Sequence, residues 1–216
     1  MVFMKVISLN VGRPRTINYR DRTVETGIYK DPVEGRVKLR PHNLEGDEQA
    51  DLTVHGGPEK AVYGFPFEHY EYWKNLLGNI TFGWGAFGEN LTTSGITEDS
   101  LNIGDTLGVG SATLMVRQPR LPCFKLAAKF ERDDMIDLFY KSGRCGFYFS
   151  IAEEGDLGGG DAIELKYRDP NDVTVADVNR LFLEKENTEL LEHVLRAPAL
   201  SDWWRRHFEE RLEDGR

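Results

Sequence analysis

Short runs of β-branched and aromatic residues, separated by glycines, recur along most of this chain and limit its fold more than any other feature. Such runs, when glycines bound them, predict β-strands. Seven of them occupy residues 5–11, 36–39, 61–65, 106–109, 112–116, 147–152 and 162–167. The sequence therefore predicts a mainly β domain over residues 1–168, folded as a barrel or a sandwich.

Two segments within this domain have helical character. In residues 66–77, proline stands at a suitable first helical position, and Gly78 follows the expected end. Residues 124–140 suit one broken helix or two short ones. We therefore predict that helices are inserted between the strands at both places.

The character of the chain changes at about residue 169. Strand signals end there, and Thr174 and Asp177 form the capping-box pattern that starts a helix. Three apolar stripes at helical spacing follow, namely Val175, Val178, Leu181 and Phe182; Leu190, Leu191, Val194 and Leu195; and Leu200, Trp204 and Phe208. These stripes predict a C-terminal three-helix domain over residues 169–216, which is too short to be stable alone and should pack on the β domain or on a partner.

Composition and charge exclude several classes of partner. The chain has 216 residues and a net charge of −9. Because nucleic-acid and acidic-membrane binding depend on Lys and Arg that neutralise phosphates, we expect neither partner.

The N-terminus has no secretory pattern, and no run reaches the roughly 18 apolar residues of a membrane span, so we expect a cytoplasmic protein. In that reducing compartment Cys123 and Cys145 should be free thiols.

Cys123 lies in the most unusual segment of the sequence, QPRLPCFK at residues 118–125. The chain has no acidic residue between Asp105 and Glu131, although it is acidic overall. The same stretch contains the cations Arg117, Arg120, Lys125 and Lys129. Nearby cations stabilise a thiolate, and the two prolines stiffen the backbone around the sulfur. Cys123 is thus a candidate functional thiol, although free cysteine is also a common buried apolar residue.

A second candidate is the segment HGGPEK at residues 55–60, which precedes a predicted strand. Its glycines let backbone amides approach a ligand closely, and Lys60 adds a point charge suited to phosphate. The spacing is not that of a P-loop. A plain glycine turn with a solvated lysine is the alternative interpretation.

Two further segments combine glycines with polar residues. Residues 85–91 (GAFGENL) suit a bulge between strands better than a pocket wall. Residues 142–148 place Arg144 and Cys145 at the start of a strand. Arg144 has the donor geometry to hold a planar or phosphorylated ligand, but an arginine at a strand end is commonly a surface charge.

A structural metal site and a hydrolase active site are two other kinds of site that these residue types could form. No pair with the spacing of a structural zinc site occurs, and His69 lies among aromatic residues that should pack the core. A serine hydrolase elbow is missing. A Cys-His hydrolase that uses Cys123 and His55 stays open at this level.

Six blocks of the sequence, taken together and in order, resemble the MOSC domain proteins, and specifically their YiiM-like branch. The blocks are DLTVHGGPEKAVY (51–63), FPFEHY (65–70), FGENLT (87–92), IGD (103–105), QPRLPC (118–123) and SGRCG (142–146). The resemblance covers nearly the whole chain, and the predicted C-terminal helices are similar to the helical domain of that branch. It implies a MOSC-type β-barrel with inserted helices, followed by that domain.

The resemblance also implies a cofactor and a reaction. The cofactor is molybdenum cofactor, a pterin dithiolene with a phosphate, and Cys123 matches the family's metal-binding thiolate. Lys60, Arg120 and Arg144 are the cations expected around it, and His55 is expected to hold the pterin or relay a proton.

The reaction implied is reduction of N-hydroxylated small molecules, such as 6-hydroxylaminopurine and related base analogues, to amines. Electrons would come from a separate flavoprotein, because no nicotinamide or flavin motif is present. A non-enzymatic cofactor-binding or sulfur-carrier module that uses Cys123 is the alternative. The sequence leaves the oligomeric state open.

Overall fold

The fold was analysed in a computed structural model that describes residues 3–50, 56–78 and 80–214. The strands are β1 Lys5–Val11, β2 Arg15–Tyr19, β3 Arg22–Thr26, β4 Asp31–Pro32, β5 Arg36–Arg40, β6 Asn43–Leu44, β7 Val62–Pro66, β8 Leu91–Ser94, β9 Thr106–Val109, β10 Ala112–Pro119, β11 Phe147–Glu153, β12 Gly155–Gly158 and β13 Ile163–Tyr167. The α-helices are α1 Glu68–Leu76, α2 Phe124–Phe130, α3 Met135–Ser142, α4 Val175–Leu183, α5 Thr188–Val194 and α6 Asp202–Asp214. A short 3₁₀-helix covers Pro58–Lys60.

All the predicted strand runs form strands, with some ends shifted, and the predicted helices are also present. The segment 124–140 forms two helices, α2 and α3, because Glu131 adopts a left-handed conformation that ends the first. At the start of α4 the capping box is formed: Thr174 Oγ1 accepts from the Asp177 amide, and the Asp177 carboxylate accepts from the Thr174 amide, both at 3.0 Å. Local sequence signals were sufficient for these elements.

The main sheet has eight strands in the order β13-β9-β10-β11-β7-β8-β1-β4. The predicted closed barrel is wrong, because no continuous ladder joins the two ends of this order among the described residues. Pro32 and Asp31 of β4 pair with the last residues of β1. At the other end of β1, Lys5 makes an isolated bridge with Ala162, just before β13. On one edge β1 pairs with β8, whereas its other edge meets only the two-residue β4 and the isolated bridge at Ala162.

The three C-terminal helices pack on the β domain. Apolar residues of α4, α5 and α6 belong to the same buried cluster as those of β9 and β10, and Trp204 and Phe208 are fully buried within it. A second cluster, rich in aromatic residues, lies between α1, α3 and β7 and includes Phe65, Trp73 and Phe139. Burial against the sheet supplies the apolar contacts that a domain of this size lacks alone.

Strand register brings three distant segments to one place. In the antiparallel pairing of β11 with its neighbours, Pro119 of β10 lies opposite Phe147, and Tyr148 lies opposite Tyr63 of β7. Gly146, just before β11, has a φ of 69°, and a Cβ there would lie 2.3 Å from the Gly64 carbonyl oxygen. Glycine is therefore required where β11 begins beside β7.

Candidate functional site

A cavity lies beside β7, β10 and β11, with an empty volume of about 560 Å³ that is partly open to solvent. Its lining contains the thiol-bearing Cys123 and four cationic residues, Lys30, Lys60, Arg120 and Lys125. No Asp or Glu occurs among the described lining residues. In a chain with a net charge of −9, the lining of this cavity is a local concentration of positive charge, which would favour an anionic ligand.

Cys123 owes its position to the end of β10 and the start of α2. The strand ends at Pro119, and Cys123 is the N-terminal capping residue of α2 in an extended conformation. Its side chain is partly exposed, and both cysteines are free thiols. A ligand in the cavity can therefore contact this sulfur.

Arg120 is buried, although it carries a full charge. Its Nη1 donates to the Phe87 carbonyl oxygen at 2.6 Å and to the Tyr63 hydroxyl at 3.2 Å. The guanidinium also lies 4.7 Å from the centre of the Tyr63 ring. These contacts hold the charge in a defined orientation at the cavity wall.

Two tyrosines complete this wall. Burial raises the pKa of Tyr63 well above its usual value and also raises the pKa of Tyr148, while Arg120 opposes both changes. Both phenols therefore stay protonated at neutral pH. The Tyr63 hydroxyl donates its proton to the Cys145 carbonyl oxygen at 2.7 Å.

Lys30 forms part of a buried polar network. Its ammonium group pairs with the Asp47 carboxylate, which also accepts from the Gly12 amide at 2.9 Å and from Asn90 Nδ2 at 2.9 Å. Burial lowers the pKa of Lys30, and Asp47 opposes that effect. Asn90 Oδ1 in turn accepts from the Tyr63 amide at 3.0 Å, so this network links the cavity to β7.

Lys60 and Lys125 add two cations from different segments. Lys60 ends the 3₁₀-helix, and burial lowers its pKa while Glu59 opposes the effect. Lys125 lies in the first turn of α2 and is 8% exposed. The cavity thus combines cations that are far apart in the sequence.

The glycine-rich segment at 85–91 forms a loop that is held by hydrogen bonds and also lines the cavity, whereas its sequence favoured a bulge over a pocket wall. The buried Glu89 carboxylate accepts from the amides of Gly85 and Phe87 at 2.9 and 3.0 Å, from Thr92 Oγ1 at 2.9 Å and from the Tyr70 hydroxyl. Glu89 thereby fixes the loop whose Gly88 and Asn90 line the cavity.

The predicted site residues do not all meet. Lys60, Arg120 and Cys123 line one cavity. Arg144 does not line it: its guanidinium lies 4.2 Å from the centre of the Tyr72 ring on α1. His55 lies outside the described residues, so its role stays a prediction.

Cys145 is a packing residue. Its side chain is 1% exposed, and burial raises the pKa of its thiol well above the usual value. A thiol kept neutral and out of contact with solvent is unreactive. His69, which the sequence assigned to the core, forms a buried contact of 2.7 Å between its Nε2 atom and the Glu98 carboxylate.

Sequence reasoning missed Lys30, Tyr63, Asn90 and Tyr148 as lining residues. Lys30 belongs to no motif, and the others read as ordinary strand or loop residues. Lys125, which also lines the cavity, did have a signal, since it belongs to the basic stretch around Cys123. Pairing between distant strands is what brings these side chains to the cavity.

The C-terminal domain contacts both segments that supply the site. Glu59, next to Lys60, accepts from Arg117 Nη2 at 2.7 Å and from the amide of Asp202, the first residue of α6, at 3.2 Å. Gln118 donates to the Glu59 carbonyl oxygen at 3.1 Å and accepts from Ser201 Oγ at 3.0 Å. The start of α6 therefore joins the loop of Lys60 to the strand that leads to Cys123.

Two kinds of feature, a metal-binding cluster and a membrane-spanning helix, do not occur among the described residues. These residues contain no group of three or more His, Cys, Asp or Glu side chains arranged to hold a metal ion. They also contain no helix that is long and apolar enough to cross a membrane.

Comparisons with known proteins identify the family. Residues 51–164 match the MOSC domain, and residues 173–215 match the YiiM-like 3-alpha helix domain. The uncharacterized protein YflK of Bacillus subtilis (strain 168) is 43% identical over 94% of this chain and 92% of its own length. The crystal structure of YiiM from Geobacillus stearothermophilus superposes with a TM-score of 0.82 at 35% identity, covering 97% of this chain and 99% of that one. A protein of Gibberella moniliformis (strain M3125 / FGSC 7600) named "Reductase" is 32% identical over 73% of this chain, a match that spans 28% of its length.

The chain therefore belongs to the MOSC domain family. Within that family it has the two-part organisation of the YiiM-like proteins, with a MOSC domain followed by the three-helix domain.

Proposed function

We propose that this protein is a molybdenum cofactor-dependent reductase of N-hydroxylated compounds, such as 6-hydroxylaminopurine and related base analogues. The observation that carries the proposal is the cavity in which Cys123 lies among four cations with no described carboxylate in the lining. Membership of the MOSC family supports the cofactor. The relative named as a reductase supports the type of reaction.

The residues of the cavity fit the proposed cofactor. A phosphate needs cationic donors, and Lys60, Arg120 and Lys125 would supply them. A soft metal needs a soft ligand, and the partly exposed Cys123 sulfur would supply it. Tyr63 and Tyr148 provide flat, protonated side chains at the same wall. Arg144, which the family resemblance placed around the cofactor, is not among the proposed cofactor-binding residues, because its guanidinium packs on the Tyr72 ring.

The reaction takes two electrons and two protons, breaks the N–O bond and yields an amine and water. When bound, the cofactor supplies the two-electron chemistry. Cys123 would hold the cofactor through its metal, and Arg120 would orient it through a charge that the Phe87 carbonyl and the Tyr63 hydroxyl keep in place. A separate flavoprotein is the proposed electron donor, and proton relay by His55 remains part of the proposal.

The central test compares the two cysteines. Wild type, Cys123→Ala and Cys145→Ala are purified from a host that makes the cofactor, and molybdenum is measured by elemental analysis. Reduction of 6-hydroxylaminopurine is followed with a chemically reduced viologen dye as donor, which removes the need for the flavoprotein. We expect Cys123→Ala to lose both molybdenum and activity, and Cys145→Ala, which removes only the buried thiol, to keep both.

Two results would refute the proposal. Wild-type protein without molybdenum would exclude the cofactor. Activity of Cys123→Ala at the wild-type rate would exclude the thiolate as the metal ligand. A second pair of variants tests the cations of the cavity. Lys60→Gln should lower the molybdenum content, whereas the control Lys74→Gln, on the exposed face of α1, should not.

A non-enzymatic cofactor-binding or sulfur-carrier protein is the second candidate. The partly exposed Cys123 thiol favours this function, because that sulfur can be reached by a reaction partner whereas the Cys145 thiol is buried. This function predicts cofactor binding without turnover, or sulfide that a reductant releases from wild type and not from Cys123→Ala.

A further inference from the structure

A second cleft adjoins the first cavity, and Lys30 lines both. Four aromatic residues form much of its lining: Tyr29, Phe82, Trp84 and Phe130. Phe82 and Phe130 pack on each other and on the buried Phe87, with ring centres 5.3 to 5.7 Å apart. The cleft therefore has a rigid aromatic wall suited to a flat ring.

Arg15 and Lys129 are two cations in the lining of the cleft. The Arg15 guanidinium lies 3.3 Å from the centre of the Tyr29 ring, and Lys129 Nζ lies 5.2 Å from the same centre. Within the described parts of the chain, no carboxylate comes within ion-pair distance of either residue. Asp31 and Glu131 also line the cleft, and both are exposed to water.

Lys129 is partly buried against neutral acceptors. Its Nζ donates to the carbonyl oxygens of Ile28 at 3.1 Å and Gly85 at 2.8 Å. Burial lowers the pKa of this lysine to about 8, with Glu89 opposing the change and the positive charges of Arg120, Arg15 and Lys30 adding to it. An anion bound beside Lys129 would restore the charge balance that the fold leaves incomplete.

We propose that this cleft is a second ligand site, and that it binds a planar aromatic ring that carries a phosphate, as in a nucleoside monophosphate. The ring packs on the aromatic wall, and the phosphate accepts from Arg15 and Lys129. Guanidinium and ammonium groups are the usual protein partners of phosphate, and aromatic side chains accept any base. Neither Arg15 nor Lys129 lines the first cavity, so the two proposed phosphate contacts differ from the cations of that cavity.

The test separates the ring from the phosphate. Isothermal titration calorimetry is carried out on the full chain with AMP, GMP, CMP and UMP, with adenosine, and with inorganic phosphate. We expect at least one nucleotide to bind with a Kd below about 1 mM, and both partial ligands to bind at least about tenfold more weakly. If no nucleotide binds, or if phosphate alone binds as tightly as the nucleotides, the proposal is overturned.

Variants locate the binding. Arg15→Gln and Lys129→Gln should each weaken nucleotide binding by about tenfold or more, because each removes one charge-assisted contact. Glutamine at position 129 keeps a donor for the two carbonyl groups. The matched control is Arg22→Gln, an exposed arginine on β3 of the same hairpin and outside the cleft lining, which should bind like wild type. Unchanged binding in Arg15→Gln, or binding that is lost in Lys60→Gln instead, would assign the nucleotide to another place and overturn the proposal.

Discussion

Removal of one hydroxyl group, in Tyr63→Phe, tests how Arg120 is held. Tyr63 is 3% exposed, and its hydroxyl both donates to the Cys145 carbonyl oxygen at 2.7 Å and accepts from Arg120 Nη1 at 3.2 Å. Phenylalanine keeps the ring and its packing on Phe65. The change therefore removes two buried hydrogen bonds and almost nothing else.

The expected cost follows from the kind of bonds that are lost. A buried hydrogen bond between neutral groups contributes about 1 kcal/mol, and one to a charged group about 1.5 to 3 kcal/mol. Because Arg120 keeps its bond to Phe87, the bond to the charged group should count near the low end of its range, and Tyr63→Phe should lower the free energy of unfolding by about 2.5 kcal/mol. That is a large part of the ~5–15 kcal/mol typical of a folded domain.

Urea unfolding followed by tryptophan fluorescence measures this difference as a shift of the midpoint at constant slope. The control is Tyr72→Phe, since the hydroxyl of Tyr72 has no hydrogen-bond partner among the described residues, and it should change stability by less than about 0.5 kcal/mol. Equal effects of the two substitutions would refute the view that the Tyr63 hydroxyl holds Arg120 in place.

Two further predictions concern domain contact and pH. Glu59→Gln should lower the free energy of unfolding by about 1–2 kcal/mol, because it removes the ion pair with Arg117 and weakens the hydrogen bond to the start of α6. Urea unfolding compares this variant with the control Glu71→Gln on α1. Equal unfolding midpoints for the two variants would contradict the prediction. For Lys129, a folded pKa of about 8 against an ordinary value of 10.5 means that the folded chain binds fewer protons there than the unfolded chain between those values. Wild-type stability relative to Lys129→Gln should therefore rise with pH across that window and be flat below pH 8, as measured by urea unfolding at a series of pH values; a difference independent of pH would contradict the assignment.

Local elements were predictable, because their causes lie within a few residues. The capping box of Thr174 and Asp177 needs only two side chains three residues apart, and the structure forms it. Strand runs depend on β-branched and aromatic content, and each predicted run is a strand. The predicted barrel is not closed, because closure depends on what lies along the free edge of β1, and only the isolated bridge at Ala162 and the short β4 pair with that edge.

Part of the candidate site was also predictable. The basic stretch around Cys123 stands out in an acidic chain, and Arg120 and Cys123 do line the same cavity as Lys60. Arg144 follows the same reasoning from charge and glycine neighbours, yet its side chain turns to Tyr72. The distribution of charge in the sequence predicts an anion site, but it does not predict the direction in which each side chain points.

The sequence by itself determined the mainly β domain with its helical tail, the family resemblance, and the concentration of positive charge around one thiol. Only the tertiary structure decided which of two cysteines is open to a ligand, since Cys123 begins a helix at the cavity and Cys145 is covered by packed aromatic side chains. It also decided that Lys30, Tyr63 and Tyr148 join the site. The physical reason is that burial and proximity come from pairing between segments far apart in the chain, whereas propensity, capping and charge are properties of neighbours.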